Sequence, residues 1–300
     1  MRNALRALGV AALAAVATSF SPLSPAAPAS AAPAADCYVP EEHGTAARGE
    51  RPLDHDALSQ ADVDRIEAQT QRILATKRSV APAAVTVPVY FHVMAAANGA
   101  GNVTDSQIAQ QVAVLNTTYA GSESGSAAST GFSFTLAGTD RFYNDTWHRD
   151  SASTTYRSQT RKGGKNALNI WLVDFSYLGI ATFPWDGNPS IDGIRVHFDS
   201  LPGGSTAHFN LGKTATHEAG HWFGLYHTFQ GGCTSTNDSV SDTAAQSSAT
   251  SGCPEGRDSC SLPGTDPIHN YMDYSYDDCY NQFTPGQSTR MSQMWSAYRA

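Results

Sequence analysis

The chain has 300 residues, 41% of them hydrophobic, so it can bury a substantial core and is not a small scaffold held together by disulfides alone. Its formal net charge is −8, and its Lys and Arg residues are scattered along the chain. This pattern provides no basic surface for nucleic acid or anionic lipid, and it makes basic peptides the more natural partners.

The N-terminal residues have the layout of a cleaved secretory signal. Arg2 and Arg6 precede an apolar, Ala-rich run over residues 7–20, and small residues follow at 29–31. The run is shorter than the ~20 apolar residues that a membrane-spanning helix needs, and no later segment offers that many. We therefore expect residues 1–31 to be a signal peptide and the protein to be secreted.

Residues 32–84 are predicted to form a prosegment, because they are polar and interrupted by Pro. Within them the sequence pattern predicts one helix over residues 59–77. The globular domain is expected to begin at residue 85. The apolar residues that could share one face of the predicted helix are Val63, Ile66, Ile73 and Leu74.

The first part of the globular domain alternates strands with helices, an order that favours an α/β fold with a mostly parallel sheet. Runs of β-branched and aromatic residues predict the strands, and Thr104 or Asp105 is the expected cap of a helix. The predicted strands cover residues 85–94, 132–136, 169–175 and 191–198, with a short apolar segment at 179–183, and the helix covers 105–119.

After residue 229 the chain is rich in Gly, Ser, Thr, Asp and Cys, which predicts a loop-rich region before a terminal helix over residues 285–298. Five cysteines in an exported chain indicate disulfides with one thiol left over. The four cysteines of the last quarter lack Cys-x-x-Cys spacing, so a structural zinc site is the weaker interpretation, and three disulfide pairings are open. These four are Cys233, Cys253, Cys260 and Cys279, and Cys37 stands apart.

One short segment carries the chemistry: His217-Glu218-x-x-His221-x-x-Gly224-x-x-His227. Residues four apart on a helix lie about 5–6 Å from each other on one face, which lets His217 and His221 bind one Zn²⁺. A straight helix cannot return His227 to the same ion, so the chain must turn sharply after His221. Gly224 can adopt the left-handed conformation that such a turn requires, and His227 is then the third ligand.

Three neutral histidine ligands leave a fourth zinc position for water, and Glu218 is placed to remove its proton and deliver it later to the leaving amine. The segment therefore predicts a zinc hydrolase. Two alternatives stay open: a secreted binding module whose zinc is purely structural, and a hydrolase of a non-peptide amide. A structural site would not need a base such as Glu218 beside an open coordination position.

The extended motif is the metzincin signature, and Asn270-Tyr271-Met272-Asp273-Tyr274 resembles its Met-turn. Together with GIATFP at 179–184, GGC at 231–233 and FTPGQSTRM at 283–291, the sequence from residue 85 onward resembles the pappalysin family, including ulilysin-like bacterial enzymes. The resemblance implies a zinc endopeptidase with a twisted, mostly parallel five-stranded sheet, an active-site helix and a backing helix. Residues 85–224 would form an N-terminal subdomain, and residues 225–300 a loop-rich, disulfide-stapled C-terminal subdomain.

The resemblance also implies roles for single residues around the metal. Met272 would form an apolar floor beneath the three histidines, and the Tyr274 hydroxyl would donate a hydrogen bond to the tetrahedral intermediate. Asp278 would lie at the bottom of the pocket for the residue after the cut bond and favour Arg or Lys there; an ordinary surface Asp is the alternative. The rim strand that an extended peptide joins would comprise Gly179, Ile180, Ala181 and Thr182.

Disulfides Cys233–Cys260 and Cys253–Cys279 are the pairing that the resemblance implies. It also implies a calcium site at Asp238 and Thr243, for which a polar turn is the alternative. At this point the sequence departs from the family, because Ala244 stands where a Pro commonly follows Asp-Thr.

Cys37 invites the hypothesis of a latency switch, in which its thiolate takes the fourth zinc position in the precursor. An incidental thiol is the alternative, because the Arg and Gly neighbours usual for such a switch are missing around Cys37. If Asp278 selects basic residues, the bonds at Lys77 and Arg78 are expected sites of autolytic processing.

Overall fold

A mixed five-stranded sheet forms the centre of the N-terminal half. The computed structural model describes residues 58–77 and 84–300, so Cys37, Arg78 and the predicted signal peptide lie outside the described residues. The strands are β1 (Val85–Ala95), β2 (Phe132–Tyr143), β3 (Leu168–Val173), β4 (Gly179–Ala181) and β5 (Ile194–His197). Their order is β2-β1-β3-β5-β4, and β4 pairs antiparallel with β5 whereas the other pairs are parallel. This arrangement confirms the predicted sheet.

The helices include two that the sequence pattern did not predict. They are α1 (Gln60–Thr76), α2 (Asp105–Tyr119), α3 (Asp145–His148), α4 (Ser153–Thr160), α5 (Lys213–Trp222) and α6 (Pro285–Met294), which is followed by a π-helical turn over Trp295–Arg299. The two unpredicted helices, α3 and α4, are short and polar, so they carry no apolar period to detect. None of the helices in the described ranges is long and apolar enough to cross a membrane.

Strand β2 is longer than predicted. Its buried alternation ends at Phe134, because residues 135–137 are exposed and residues 138–142 are only half-buried. Pairing with the buried strand β1 nevertheless continues to the last residue, where Ala95 lies opposite Tyr143. The backbone hydrogen bonds of a sheet thus extend β2 beyond its hydrophobic pattern.

The helix that carries the histidine motif, α5, is buried along its whole length. It packs against α2, β4 and β5. Helix α2 begins at Asp105 and is capped by Thr104, one of the two predicted cap residues, whose side chain accepts a hydrogen bond from the Gln107 N–H in a capping box. The sheet, α2 and α5 together surround one hydrophobic core.

From residue 223 to residue 284 the chain runs as loops and turns with a single isolated β-bridge. Disulfides Cys233–Cys260 and Cys253–Cys279 join these loops, which confirms the expected pairing. The loop-rich, disulfide-stapled character of this half is therefore confirmed.

Helix α1, which belongs to the predicted prosegment, packs against the C-terminal half. Val63 of α1 lies in a small apolar cluster with Phe183 and Tyr226, against which Trp185 also packs. Glu67 forms a two-pronged ion pair with Arg290, with Oε2 3.1 Å from Nη1 and Oε1 2.5 Å from Nη2. The helix is thus anchored by apolar contacts and by one carboxylate.

Candidate active site

The three histidines of the motif converge on one point. His217 and His221 lie on the same face of α5, and the backbone reverses at Gly224, whose φ of +94° is the left-handed conformation predicted for it. The reversal brings His227 back, so that the Nε2 atoms are 3.1 Å (217 to 221), 3.0 Å (221 to 227) and 3.3 Å (217 to 227) apart. Among the described residues these three side chains form a group of nitrogen donors that could hold one metal ion.

The donor atoms fit a zinc ion. His217 Nδ1 lies 2.6 Å from the Tyr271 carbonyl and His221 Nδ1 lies 2.8 Å from the Leu225 carbonyl, so both rings donate from Nδ1 and turn their Nε2 lone pairs inward. Burial lowers the pKa of His217 to about 4, which keeps its imidazole neutral at physiological pH. Three lone pairs facing one another need a cation between them, and tetrahedral zinc with bonds of about 2.0–2.1 Å separates its ligand nitrogens by about 3.3 Å.

Glu218 lies against the rim strand β4. A Cβ atom on Gly179 would be 2.5 Å from Oε1 of Glu218 and 2.4 Å from its Cγ. Only a residue without a side chain allows this approach, so Gly179 is required for β4 to run beside the carboxylate. The family resemblance placed Gly179 on the rim strand but did not predict this contact.

The rim strand occupies the end position of the sheet order. Gly179, Ile180 and Ala181 pair with β5, and Thr182 extends the pairing because its N–H donates to the Gly193 carbonyl at 3.0 Å. Thr182 also donates from its hydroxyl to Asp192 at 3.0 Å. These bonds fix the backbone of the rim on the side that faces the sheet.

Met272 and Tyr274 both lie at the histidine cluster. Met272 is completely buried, with its sulfur against Gly220 of the active-site helix. The Tyr274 ring centroid is 4.8 Å from that of His227 and 5.7 Å from that of His217. The structure therefore places Met272 against the active-site helix and the Tyr274 ring beside two of the three histidines.

The two aspartates after Tyr274 differ in their surroundings. Asp278 is exposed, whereas Asp277 is buried and its Oδ2 accepts hydrogen bonds from the N–H groups of Leu211 and Lys213 at the start of α5, at 2.8 and 3.4 Å. Burial raises the pKa of Asp277 to about 6. Sequence reasoning singled out Asp278 and missed Asp277, whose partners are more than 60 residues away along the chain.

The predicted calcium segment forms a tight turn with oxygen atoms directed inward. Asn237 and Ser239 have positive φ angles of 25° and 62°. Oδ2 of Asp238 and the hydroxyl of Thr243 are buried without a hydrogen bond of ordinary geometry to the described residues, and burial raises the pKa of Asp238 to about 8. A buried carboxylate with no cationic partner of ordinary geometry is unfavourable, and a bound cation would stabilise it.

Sequence comparison identifies relatives over most of the chain. The model of the pregnancy-associated plasma protein-A family of peptidases matches residues 169–296. An extracellular metalloprotease of Verticillium alfalfae is 48% identical over 248 residues, covering 78% of this chain and 84% of that protein. An extracellular metalloprotease of Podospora anserina is 49% identical over 236 residues, covering 75% and 78% respectively.

Solved structures of mirolysin and of its precursor also match this chain. A mutant of Tannerella forsythia promirolysin superimposes with a TM-score of 0.68 at 27% identity, covering 83% of this chain and 93% of that one. Mature mirolysin in complex with a cleaved peptide gives a TM-score of 0.62 at 28% identity, covering 73% and 97%. The histidine cluster, the fold and these relatives show that the chain belongs to the pregnancy-associated plasma protein-A family of peptidases, the pappalysins, and is a metalloprotease.

Proposed function

We propose that this metalloprotease is a secreted zinc endopeptidase in which Glu218 is the general base, His217, His221 and His227 hold the metal, and an extended peptide is cut. One observation carries the proposal: the three Nε2 atoms lie within 3.0–3.3 Å of one another, while the adjacent Glu218 carboxylate lies against the rim strand. The signal layout at residues 1–31 and the extracellular relatives support secretion.

Each residue has a chemical task in this proposal. Zinc, when bound, polarises the scissile carbonyl and lowers the pKa of water. Glu218 accepts the proton of the attacking water and delivers it to the leaving amine. The Tyr274 hydroxyl donates a hydrogen bond to the oxygen on which negative charge develops. Backbone groups of β4 and Thr182 hold the substrate as an added strand, and Gly179 keeps that strand beside Glu218.

Selectivity for a basic residue after the cut bond is assigned to Asp278. Its exposed position agrees with a carboxylate that meets a substrate side chain. The preceding residue, Asp277, is buried and accepts a hydrogen bond from the Leu211 N–H just before the active-site helix. An exposed carboxylate pairs with Arg or Lys of the substrate at little desolvation cost.

Calcium at Asp238 and Thr243 is a further part of the proposal. The buried Asp238 carboxylate and the adjacent Thr243 hydroxyl support it, since Ca²⁺ binds carboxylate, hydroxyl and carbonyl oxygens in tight turns. The metal would brace the loop-rich half, where helices and strands are missing from residues 223–284.

Latency is assigned to residues 32–84, with Cys37 as the candidate fourth zinc ligand in the precursor and Lys77 and Arg78 as processing sites. Lys77 is exposed at the end of α1, where a protease can reach it. Comparison of the Cys37→Ala precursor with wild type tests the switch, because unchanged latency in the purified variant contradicts it.

The decisive experiment compares the processed enzyme with its Glu218→Ala variant on a proteome-derived peptide library, with and without a zinc chelator. Cleavage by wild type should disappear in the variant and in the chelated sample, although the variant should still bind zinc. Wild-type enzyme that cuts no peptide would contradict the endopeptidase proposal, and a variant that cuts at the wild-type rate would contradict the role of Glu218.

A further inference from the structure

The N-terminus of the active-site helix depends on residues that are distant in sequence. The residue before α5, Gly212, has φ +83° and provides no side-chain cap. Asp277 takes over this role by accepting from the N–H groups of Leu211 and Lys213. The first residue of the helix, Lys213, brings a buried cation to the positive end of the helix dipole, an unfavourable combination that calls for an anion nearby.

Glu123 provides that anion, from the segment that follows α2. One of its carboxylate oxygens forms an ion pair with Lys213 Nζ, and the other accepts a hydrogen bond from the Tyr271 hydroxyl. The Lys213 and Glu123 side chains are 7% and 25% exposed, and the Lys213 ammonium lies 5.5 Å from the centre of the Tyr271 ring. A single carboxylate therefore links the start of α5 to the Met-turn.

Tyr271 carries the link to the metal site. Its carbonyl accepts from His217 Nδ1 at 2.6 Å, and its N–H donates to the Gln282 carbonyl at 3.1 Å. Its ring packs on Phe283 with centroids 4.7 Å apart. Glu123 holds the Tyr271 ring, and Gln282 holds the Tyr271 backbone. The direction of the Tyr271 carbonyl, which orients His217, is therefore fixed.

We propose that Glu123 is a positioning residue for zinc binding. It does not contact the metal, but it sets the angle of the His217 ring through Tyr271 and fixes the start of the helix that carries this histidine through Lys213. Partners that orient a ligating histidine typically change metal affinity by about 10–100-fold when they are replaced. Glu123 acts one residue further from the metal, so the lower end of that range is expected.

The test measures zinc affinity, so it does not depend on the proposed peptidase function. Full-length protein carrying Glu218→Ala, which prevents self-cleavage, is freed of zinc and titrated against a chromophoric chelator. Glu123→Gln should weaken zinc binding roughly tenfold. Tyr271→Phe, which leaves the Glu123–Lys213 ion pair in place, should also weaken it. In the Tyr271→Phe background, Glu123→Gln should have a clearly smaller effect than in the parent.

Glu255→Gln is the matched control, because Glu255 is an exposed carboxylate that does not contact the start of α5. Its carboxylate lies 3.4 Å from His269 Nε2. It should leave zinc affinity unchanged. Denaturant unfolding of the zinc-free variants measures whether Glu123 has only a structural role. If Glu123→Gln lowers stability but leaves zinc affinity within twofold of the parent, the proposed positioning role is overturned. An effect of Glu123→Gln that is equally large in the Tyr271→Phe background would overturn the route through Tyr271.

Discussion

Met272 lies so close beneath Gly220 that a Cβ atom on this glycine would be 2.4 Å from the methionine sulfur. The contact places Met272 directly under the helix turn between His217 and His221 of α5. Glycine at position 220 is therefore a packing requirement, because both the helix and the methionine are buried and neither can move aside freely.

Gly220→Ala should reduce the free energy of unfolding by about 1–3 kcal/mol, the usual cost of forcing extra volume into a packed core. Zinc affinity should fall as well, because the helix turn that carries His221 must shift. Denaturant unfolding and zinc titration check both effects. Gly125→Ala is the control, since a Cβ atom at Gly125 meets no atom within 4 Å; equal losses in the two variants would contradict the packing argument.

Asp277 should give the protein a distinct pH dependence. Burial raises its pKa from 3.8 to about 6, so its neutral form is favoured in the folded state. The resulting contribution to stability is complete below pH 4 and is lost as pH rises through about 6. Relative to wild type, Asp277→Asn should therefore gain about 2–3 kcal/mol in unfolding free energy between pH 4 and pH 7.5.

Denaturant titrations of both proteins across this pH range measure the difference. Asp258 serves as the control: it is exposed and is not among the charges that act on Asp277, so Asp258→Asn should follow the wild-type curve. If the difference between wild type and Asp277→Asn stays constant with pH, Asp277 does not titrate as its burial implies.

Glu67→Gln should loosen helix α1 from the catalytic half. The substitution leaves the guanidinium of Arg290, which is only 6% exposed, without its carboxylate. We expect a loss of about 1–3 kcal/mol in the stability of the precursor, reduced from the full cost of breaking a buried pair because Glu67 is 27% exposed. Asp64→Asn removes an equal charge from the exposed face of the same helix and should change stability by less than about 0.5 kcal/mol. Hydrogen exchange of residues 60–76 should rise in the first variant alone.

Asp278→Ala should abolish the preference for Arg and Lys after the cut bond and should move precursor processing away from Lys77 and Arg78. The reason is electrostatic, because the variant lacks the carboxylate that would pair with the substrate cation. Cleavage-site profiling of the peptide library and N-terminal sequencing of the processed protein provide the measurements. An unchanged profile would exclude Asp278 as the selecting residue.

Removal of calcium should destabilise the loop-rich half. At a calcium concentration one hundred times the dissociation constant, binding stabilises the folded state by about 2.7 kcal/mol. A calcium-selective chelator should lower the melting temperature of wild type accordingly but have little effect on Asp238→Asn. Asp258→Asn, which changes an exposed aspartate in the same half, should respond as wild type does. A melting temperature of wild type that does not depend on calcium would refute the site.

The convergence of the three histidines was predictable because its parts are local. The spacing of His217 and His221 on a helix, followed by a glycine that reverses the chain, determines the positions of all three histidines within eleven residues. The disulfides and the Met-turn were predictable by resemblance alone. Strand β2 was predicted too short because its end is held by pairing rather than by a hydrophobic pattern.

What sequence reasoning missed depends on contacts between distant segments. Asp277 caps a helix that begins 64 residues earlier in the chain, and Glu123 pairs with a lysine 90 residues away. The sequence likewise does not show why glycine is required at positions 179 and 220. The structure shows that a side chain at these positions would collide with Glu218 and with Met272 of the Met-turn. Local patterns contain no information on such tertiary partners.

The position of Trp185 offers an optical reporter of maturation. Its indole stacks on Phe183 at 4.7 Å and packs on the cluster that Val63 of α1 completes. Departure of the helix would bring water to this ring, whereas Trp171 and Trp222 are fully enclosed elsewhere. The emission spectrum of the protein should then shift to longer wavelength as processing proceeds, which would allow activation to be followed in real time without any added dye.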